Sequence, residues 1–389
     1  MLAIWSLVLL SVPLLASQGK QCEGKALLLR SSGTQSSQMP AISARELPQY
    51  DALFRRQSGW TGADVASTVA ISPGVTLWLF GDTWVGDIEG GKHVRATMVN
   101  NSFALQRGNA PPDARVEFFS SRPGTEKPTT LVTPSEGGFF WVQSGVLVRK
   151  GLFLFAMRVE KQGKANDAFG FRVAGSYLLS VQGPPERPDR WQVRQHALPW
   201  CHPDAKGNGV FLGAAVMKHA GFVYIYGCEE DRAGRLPAKH AVLARVPEDR
   251  LADLRAWRFA GEAGWLAPGE KPRRLFTPAA NEYSVSWQPG PRRFVAVFTP
   301  GGLSRKIQVR LATAPEGPWE EPLTVYTCPE PHPGKMFCYA AKGHPELSGD
   351  NDLIVTYATN GWDFWYTAGH ADLYWPHFIE LQFGPLGRH

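Results

Sequence analysis

The stretch "GWTGADVASTVAISPGVTLWLFGDTWVGD", residues 59–87, reads as a hairpin with acid at both ends. Pro73-Gly74 marks its turn, since proline presets φ and glycine accepts the left-handed conformation. Around that turn "VASTVAI" and "VTLWLFGD" form two antiparallel strands, and Asp64 falls across from Asp82 to within a residue of register. Cβ atoms of directly opposed residues lie about 4.5–5.5 Å apart. Two carboxylates that close repel, so one pKa should rise while the other stays low. The competing reading is a turn: Asp82 in Gly-Asp-Thr can cap backbone amides, and Asp64 can do the same after Gly62.

The hairpin recurs. Apolar strands after a turn begin at Val75 ("VTLWLFGD"), Gly151 ("GLFLFAMR"), Gly221 ("GFVYIYGCE"), Arg292 ("RRFVAVFTP") and Asn351 ("NDLIVTYAT"), at spacings of 76, 70, 71 and 59 residues. Each follows another strand-like run: "VASTVAI", "WVQSGVLV", "FLGAAVMK", "YSVSWQP" and "AAKGHPEL". Third strands follow in "NSFALQ", "SYLLSV", "HAVLARV", "KIQVRLA" and "ADLYW", and fourth strands in segments such as "WQVRQHAL" and "PLTVYT". Five meanders of about four strands predict an all-β, single-domain, five-bladed β-propeller over residues 57–389. A blade buries both faces against its neighbours, which explains strands without strict alternation. A double β-sandwich would leave the five similar units unexplained. "KALLLR" (25–30) is expected to close the ring beside "FIELQF" (378–383). Helix is expected only in "ISARELPQYDALFRRQ", within the N-terminal segment 20–56, and in "PEDRLADLRAW".

Composition fits this reading. Of 389 residues, 43% are hydrophobic and 12% aromatic, and 40 glycines with 31 prolines suit short strands joined by turns. The net charge of +6 is spread out, without a basic run, which argues against a nucleic-acid partner. "MLAIWSLVLLSVPLLASQG" (1–19) resembles a secretory signal, too short and proline-broken for a membrane span, and predicts a secreted or periplasmic protein. Export makes the five cysteines candidates for bridges: Cys328 with Cys338 first, Cys201 with Cys228 second, Cys22 left over. No Cys/His spacing suggests a metal site.

If inner strands line an axial funnel, their ends collect chemistry. Asp64, Asp82, Glu282 and Glu230 are the candidate catalytic carboxylates, with Glu282 before "YSV" in register with Asp64 before "VAS". Trp60, Trp84, Trp141 and Trp362 offer aromatic faces to sugar C–H faces, while Arg158, Glu229, His344 and Asn360 offer partners for hydroxyls. Glycosidic cleavage needs two carboxyl groups flanking the scissile bond, which Asp64 and Glu282 could span. Each has a plainer reading: the 229–231 acids as a solvated loop, His344 as a structural hydrogen-bonder, Arg158 as a partner of Glu160, the tryptophans as packing between blades.

These residues carry a resemblance. "WTGAD" (60–64), "LWLFGDTW" (77–84), "VNNS" (99–102), "EYSV" (282–285) and "HPEL" (344–347) resemble a bacterial five-bladed propeller family of unknown function related to secreted endo-D-arabinanases. "ATAPEGPW" (312–319) resembles a blade turn of the wider furanosidase propellers. The resemblance implies that Asp64 serves as base or nucleophile, with Asp82 as its partner or as a neighbour that sets its pKa. Glu282 would be the acid, with Glu230 in reserve. It also makes a funnel-bound calcium ion near His344 conceivable, although no cofactor is required by the residues. The expected function is a secreted, monomeric glycoside hydrolase acting on furanose-containing or other extracellular polysaccharide. The alternatives are a carbohydrate-binding propeller without catalysis and a structural or partner-binding one.

Overall fold

The computed structural model describes residues 40–162, 170–234 and 237–385. The 1–19 leader, Cys22 and "KALLLR" lie outside them. Among the described residues the chain is all-β, in six antiparallel sheets. It begins with β1 (Ile42–Glu46), α1 (Pro48–Phe54) and β2 (Ser58–Ala63). β3 (Ser67–Ser72), β4 (Val75–Phe80), β5 (Thr83–Glu89), β6 (Lys92–Val99), β7 (Ser102–Arg107) and β8 (Arg115–Phe119) follow. A second meander contains β9 (Phe139–Val148), β10 (Gly151–Lys161), β11 (Phe171–Gln182) and β12 (Gln192–Ala197). The third contains β13 (Gly209–His219), β14 (Phe222–Asp231), β15 (Ala238–Pro247), β16 (Arg258–Gly261) and β17 (Gly264–Leu266). The fourth contains β18 (Tyr283–Gln288), β19 (Arg293–Phe298), β20 (Lys306–Ala312) and β21 (Leu323–Thr327). Last come β22 (Met336–Gly343), β23 (Asp352–Gly361), α2 (Phe364–Ala368) and β24 (Pro376–Phe383).

The opening hairpin turns at Pro73-Gly74 as expected: Ser72 pairs with Val75, and Gly74 has φ +71°. Its arms do not stop at the acids. Beyond Asp64 and Asp82 they continue as β2 and β5, with Ala63 opposite Thr83, and join β6 in a separate three-stranded sheet. The inner pair β3-β4 goes instead with β7 and β8. The two aspartates therefore stand at the joint between two sheets.

Burial shows why the strands lack alternation. Leu77, Trp78, Leu79 and Phe80 are all fully buried. Leu77 and Leu79 enter a core shared with the second meander, around Phe140, Leu152 and Leu154. Trp78 and Phe80 enter one shared with α1 and the last sheet, around Phe54, Ile354 and Phe378. Equivalent cores join the second meander to the third (Phe155, Ile225, Trp257), the third to the fourth (Tyr226, Phe298) and the fourth to the fifth (Val297, Val355). Each of the five larger sheets thus buries both faces against two neighbours.

Several local expectations are corrected. The edge of β24 is taken by β1, with Ile42 opposite Phe383. The segment 42–57 is not one helix, because Pro48 holds Leu47 out of the helical region (φ −124°, ψ 68°) and starts a helix at its own position. In the fifth meander the inner strand is Met336–Gly343, while Pro345–Leu347 is a 3-10 turn. "PEDRLADLRAW" forms only two such turns, Glu248–Arg250 and Leu254–Ala256. Cys201, Cys228, Cys328 and Cys338 are buried free thiols, the last two in one core. No helix among the described residues is long and apolar enough to cross a membrane.

Candidate functional site

The joint in the first meander carries the candidate site. The Asp64 amide donates to the Asp82 carbonyl at 3.4 Å, and the Gly81 amide to the Asp64 carbonyl at 3.3 Å, so the two aspartates oppose one another as the register requires. After Asp64 the chain turns sharply through Val65 (φ +65°) and Ala66 (φ +44°), which places non-glycine residues in the left-handed region. Such conformations cost on the order of 1–3 kcal/mol each and persist where surrounding structure enforces them. Here the Ala66 amide closes the turn onto the Asp64 carbonyl at 2.8 Å. Gly81 is required by space: a Cβ there would overlap Asp64 Oδ1 and the Val65 side chain.

Asp64, Asp82 and Glu282 are closely enclosed, yet each keeps some contact with solvent. Burial, then the negative charges of Glu282 and Asp82, hold the Asp64 carboxyl well above the usual carboxylate range; the Tyr339 hydroxyl pulls the other way. That hydroxyl donates to Asp64 Oδ2 at 2.7 Å, while Oδ1 is enclosed without a hydrogen-bond partner among the described residues. Asp82 differs. Burial raises its pKa, but Asn100 Nδ2 and Trp141 Nε1 each donate to Oδ1 at 2.9 Å, and Lys161 adds a favourable charge. Glu282 is also raised by burial, with Lys342 and Lys239 opposing. The structure brings these three carboxylates into one interacting group, from the first and fourth meanders.

Lys342 completes the group from the fifth. It is fully buried, and its ammonium donates to Ser67 Oγ (2.7 Å), the Gln143 carbonyl (2.6 Å) and the Ala214 carbonyl (3.2 Å), on β3, β9 and β13. Those carbonyls are available because β9 and β13 bulge there, where the register slips opposite Phe155–Ala156 and at Leu212–Ala215. β22 bulges likewise between Tyr339 and Lys342. A calcium ion at His344 does not fit. Its ring is fully buried, Nδ1 lies 2.7 Å from Thr68 Oγ1 and Nε2 2.7 Å from Thr356 Oγ1, and burial lowers its pKa to about 3. Both ring nitrogens are engaged, so His344 is a structural residue. The neighbouring cage of oxygens already holds the lysine.

The other sequence candidates fall elsewhere. Glu229 is clamped by Arg274 (2.8 and 2.9 Å) and Lys271 (3.2 Å), and the Arg274 bond holds its pKa low. Glu230 is bound by Arg232 (2.9 Å) and by Asn281 Nδ2 (2.6 Å), so it steadies the residue before Glu282 and is not a free acid. Arg158 pairs with Glu160 at 2.9 Å. Trp60 is buried, donates to Ser102 Oγ at 3.1 Å and packs on Phe118. Trp84 is buried against His93 and Phe364. Neither presents a face to a ligand, because both lie in the β2-β5-β6 extension that the sequence did not reveal. Trp141 reaches the site as a donor to Asp82. Asn360 accepts from Thr367 Oγ1 at 2.7 Å, which fixes the turn after β23. Trp362 is 47% exposed and lies 4.6 Å from Phe337, itself 5.3 Å from Tyr339, so an aromatic path leads outward from Asp64.

Sequence reasoning missed Tyr339, Asn100 and Gln143 and gave Lys342 no role. Asn100 stands in "VNNS" and was within reach; the bulges that bring in Gln143 and Lys342 leave no local signal. The Gln143 amide is buried with no partner among the described residues on either atom.

The model of a family described as Domain of unknown function (DUF5005) matches residues 48–383. The chain belongs to this family. No curated protein sequence matches it. Among solved structures, this DUF5005 chain is similar to a candidate hydrolase from Bacteroides ovatus, with a TM-score of 0.67 and 18% identity over 90% of this chain and 92% of that one. The two share a fold. Weaker likenesses are the GH43_1 enzyme from Xanthomonas citri with xylose (TM-score 0.44, 16% identity, 85% and 92% covered) and the catalytic domain of a GH62 α-L-arabinofuranosidase from Coprinopsis cinerea (0.45, 12%, 88% and 97%).

Proposed function

We propose that this chain is a secreted glycoside hydrolase, built as a five-bladed β-propeller and acting on furanose-containing or other extracellular polysaccharide. The cyclic sequence of shared cores, in which the last sheet packs on the first, supports the five-blade reading. One observation carries the function: Asp64 and Asp82 face each other, and burial raises both pKa values, but Glu282 and Asp82 add to the rise at Asp64 while Asn100, Trp141 and Lys161 oppose it at Asp82. Such a split is how two carboxyl groups take opposite roles at one pH.

The split assigns the roles differently from the sequence expectation. Asp64, whose pKa burial and then Glu282 raise well above the usual carboxylate range, is the group disposed to hold a proton and act as the general acid. Asp82, where two donors on Oδ1 and Lys161 oppose the rise that burial causes, is the more readily ionised of the two and would accept a proton from water or attack the anomeric carbon. Glu282 supplies a like charge that adds to burial in raising the Asp64 pKa. Tyr339 orients Asp64, and Trp141 with Asn100 orients Asp82.

The test is reducing-end release from arabinans, fructans, galactans and xylans by the wild type, Asp64→Asn and Asp82→Asn. Turnover by the wild type and its loss in both variants is expected. Glycan binding without turnover in all three would replace this reading with a non-catalytic carbohydrate-binding propeller.

A further inference from the structure

Among the described residues, Lys342 is the one buried ammonium bonded to three inner strands, and the catalytic roles assigned to the carboxyls do not use it. A lysine ammonium has three N–H donors, and here each has an acceptor, on β3, β9 and β13, while the side chain springs from β22. The remaining inner strand, β18, is preceded by Glu282, whose charge acts on the ammonium although no hydrogen bond joins them. With every proton committed, Lys342 is neither a nucleophile nor a proton donor to substrate. What it offers the site is fixed positive charge at a fixed place.

We propose that Lys342 is a positioning residue for the carboxylate group: its caged ammonium ties the inner strands together and supplies a fixed counter-charge to Glu282, so that Glu282 can act on Asp64. The groups facing it are few. Glu282 and Asp64 are the carboxyl neighbours, His344 is the titratable neighbour on the following turn, and β9 and β13 face it with carbonyl oxygens. A buried ammonium without counter-charge would lose its proton readily. Burial brings the Lys342 pKa down to about 8, with Glu282 and then Asp64 opposing that fall. The interaction is reciprocal, since Lys342 in turn lowers the Glu282 pKa. Removing either partner must therefore show up on the other.

The role at Asp64 rests on the hydrolase reading, so the decisive measurement is made without substrate. In wild-type protein carrying 13C-labelled lysine, the Lys342 Cε resonance should titrate near pH 8, apart from the surface lysines. In Glu282→Gln that transition should move down by roughly one pH unit. In Lys342→Met with labelled glutamate, the Glu282 carboxyl should titrate at higher pH than in wild type. A Lys342 resonance that titrates with the surface lysines, or that ignores Glu282→Gln, overturns the proposal. Given glycan turnover, Lys342→Met should displace the pH–rate profile and lower kcat more than it changes KM. A lower melting temperature with the profile unmoved would make Lys342 merely structural and would also overturn it. If wild type cleaves no glycan, the hydrolase reading falls, while the two titrations still judge the lysine.

Discussion

The second strand of the first meander and that of the third both run out into acid, "FGD" at Asp82 and "YGCEED" at Glu229 to Asp231. Their fates are opposite. In the third meander every acid meets a cation: Glu229 has Arg274 and Lys271, Glu230 has Arg232, and Asp231 lies 3.5 Å from Arg274. In the first meander Asp64 meets two carboxylates and a tyrosine, and Asp82 meets an amide and an indole, both uncharged donors, with Lys161 acting on it only as a charge and without a hydrogen bond. One cluster has its charge neutralised for stability. The other keeps strain, enclosure and like charge together, the pattern of sites that use perturbed carboxyls.

Substitution should break the comparison most strongly at the joint. Asp64→Asn or Asp82→Asn should lower kcat on any cleaved glycan by about 10²–10⁴-fold, the range for general acid–base groups. Asp64→Asn should nevertheless melt higher than wild type above neutral pH. A carboxyl that holds its proton more tightly folded than unfolded costs stability as pH rises above its unfolded pKa, and in full once pH exceeds its folded pKa. The cost is about 1.4 kcal/mol for each tenfold gain in proton affinity, and it fades as pH falls. Calorimetry across pH 5–8 would read this, and an unchanged or lower melting temperature would count against a desolvated Asp64.

Gly81→Ala probes the same place through space alone. Its methyl group must displace Asp64 Oδ1 or Val65, and kcat should fall about tenfold or more with the fold kept, as circular dichroism would check. Trp141→Phe removes one donor to Asp82. Its acidic kinetic limb should move up by about one pH unit, since a hydrogen bond to a charged group contributes about 1.5–3 kcal/mol. The smallest effect belongs to the third meander: Glu229→Gln should cost about 1 kcal/mol or less, because Arg274 and Lys271 reach solvent. Its folded pKa is depressed, so its contribution is present above the ordinary glutamate pKa and lost as pH falls through the folded value. Turnover by that variant should stay within about twofold of wild type, and a large loss would draw the third meander into the site.

The turn at Pro73-Gly74, the opposition of Asp64 to Asp82 and the succession of antiparallel strands were legible in the chain because they are local. Turn chemistry and strand register act over a few residues, and buried strands keep apolar runs. The same locality misled at Trp60 and Trp84: indoles near acids resemble sugar platforms until the added sheet buries them. It misled again at His344 and Glu229, where partners 12 to 276 residues away take up the polar atoms. Sequence alone determined the all-β character, most of the inner hairpins and the pairing that sets two aspartates side by side. Only the tertiary structure decided which acids stay uncompensated, because desolvation and charge pairing depend on groups that several distant strands bring to one point. Lys342, held by strands 128 to 275 residues away, shows this most directly.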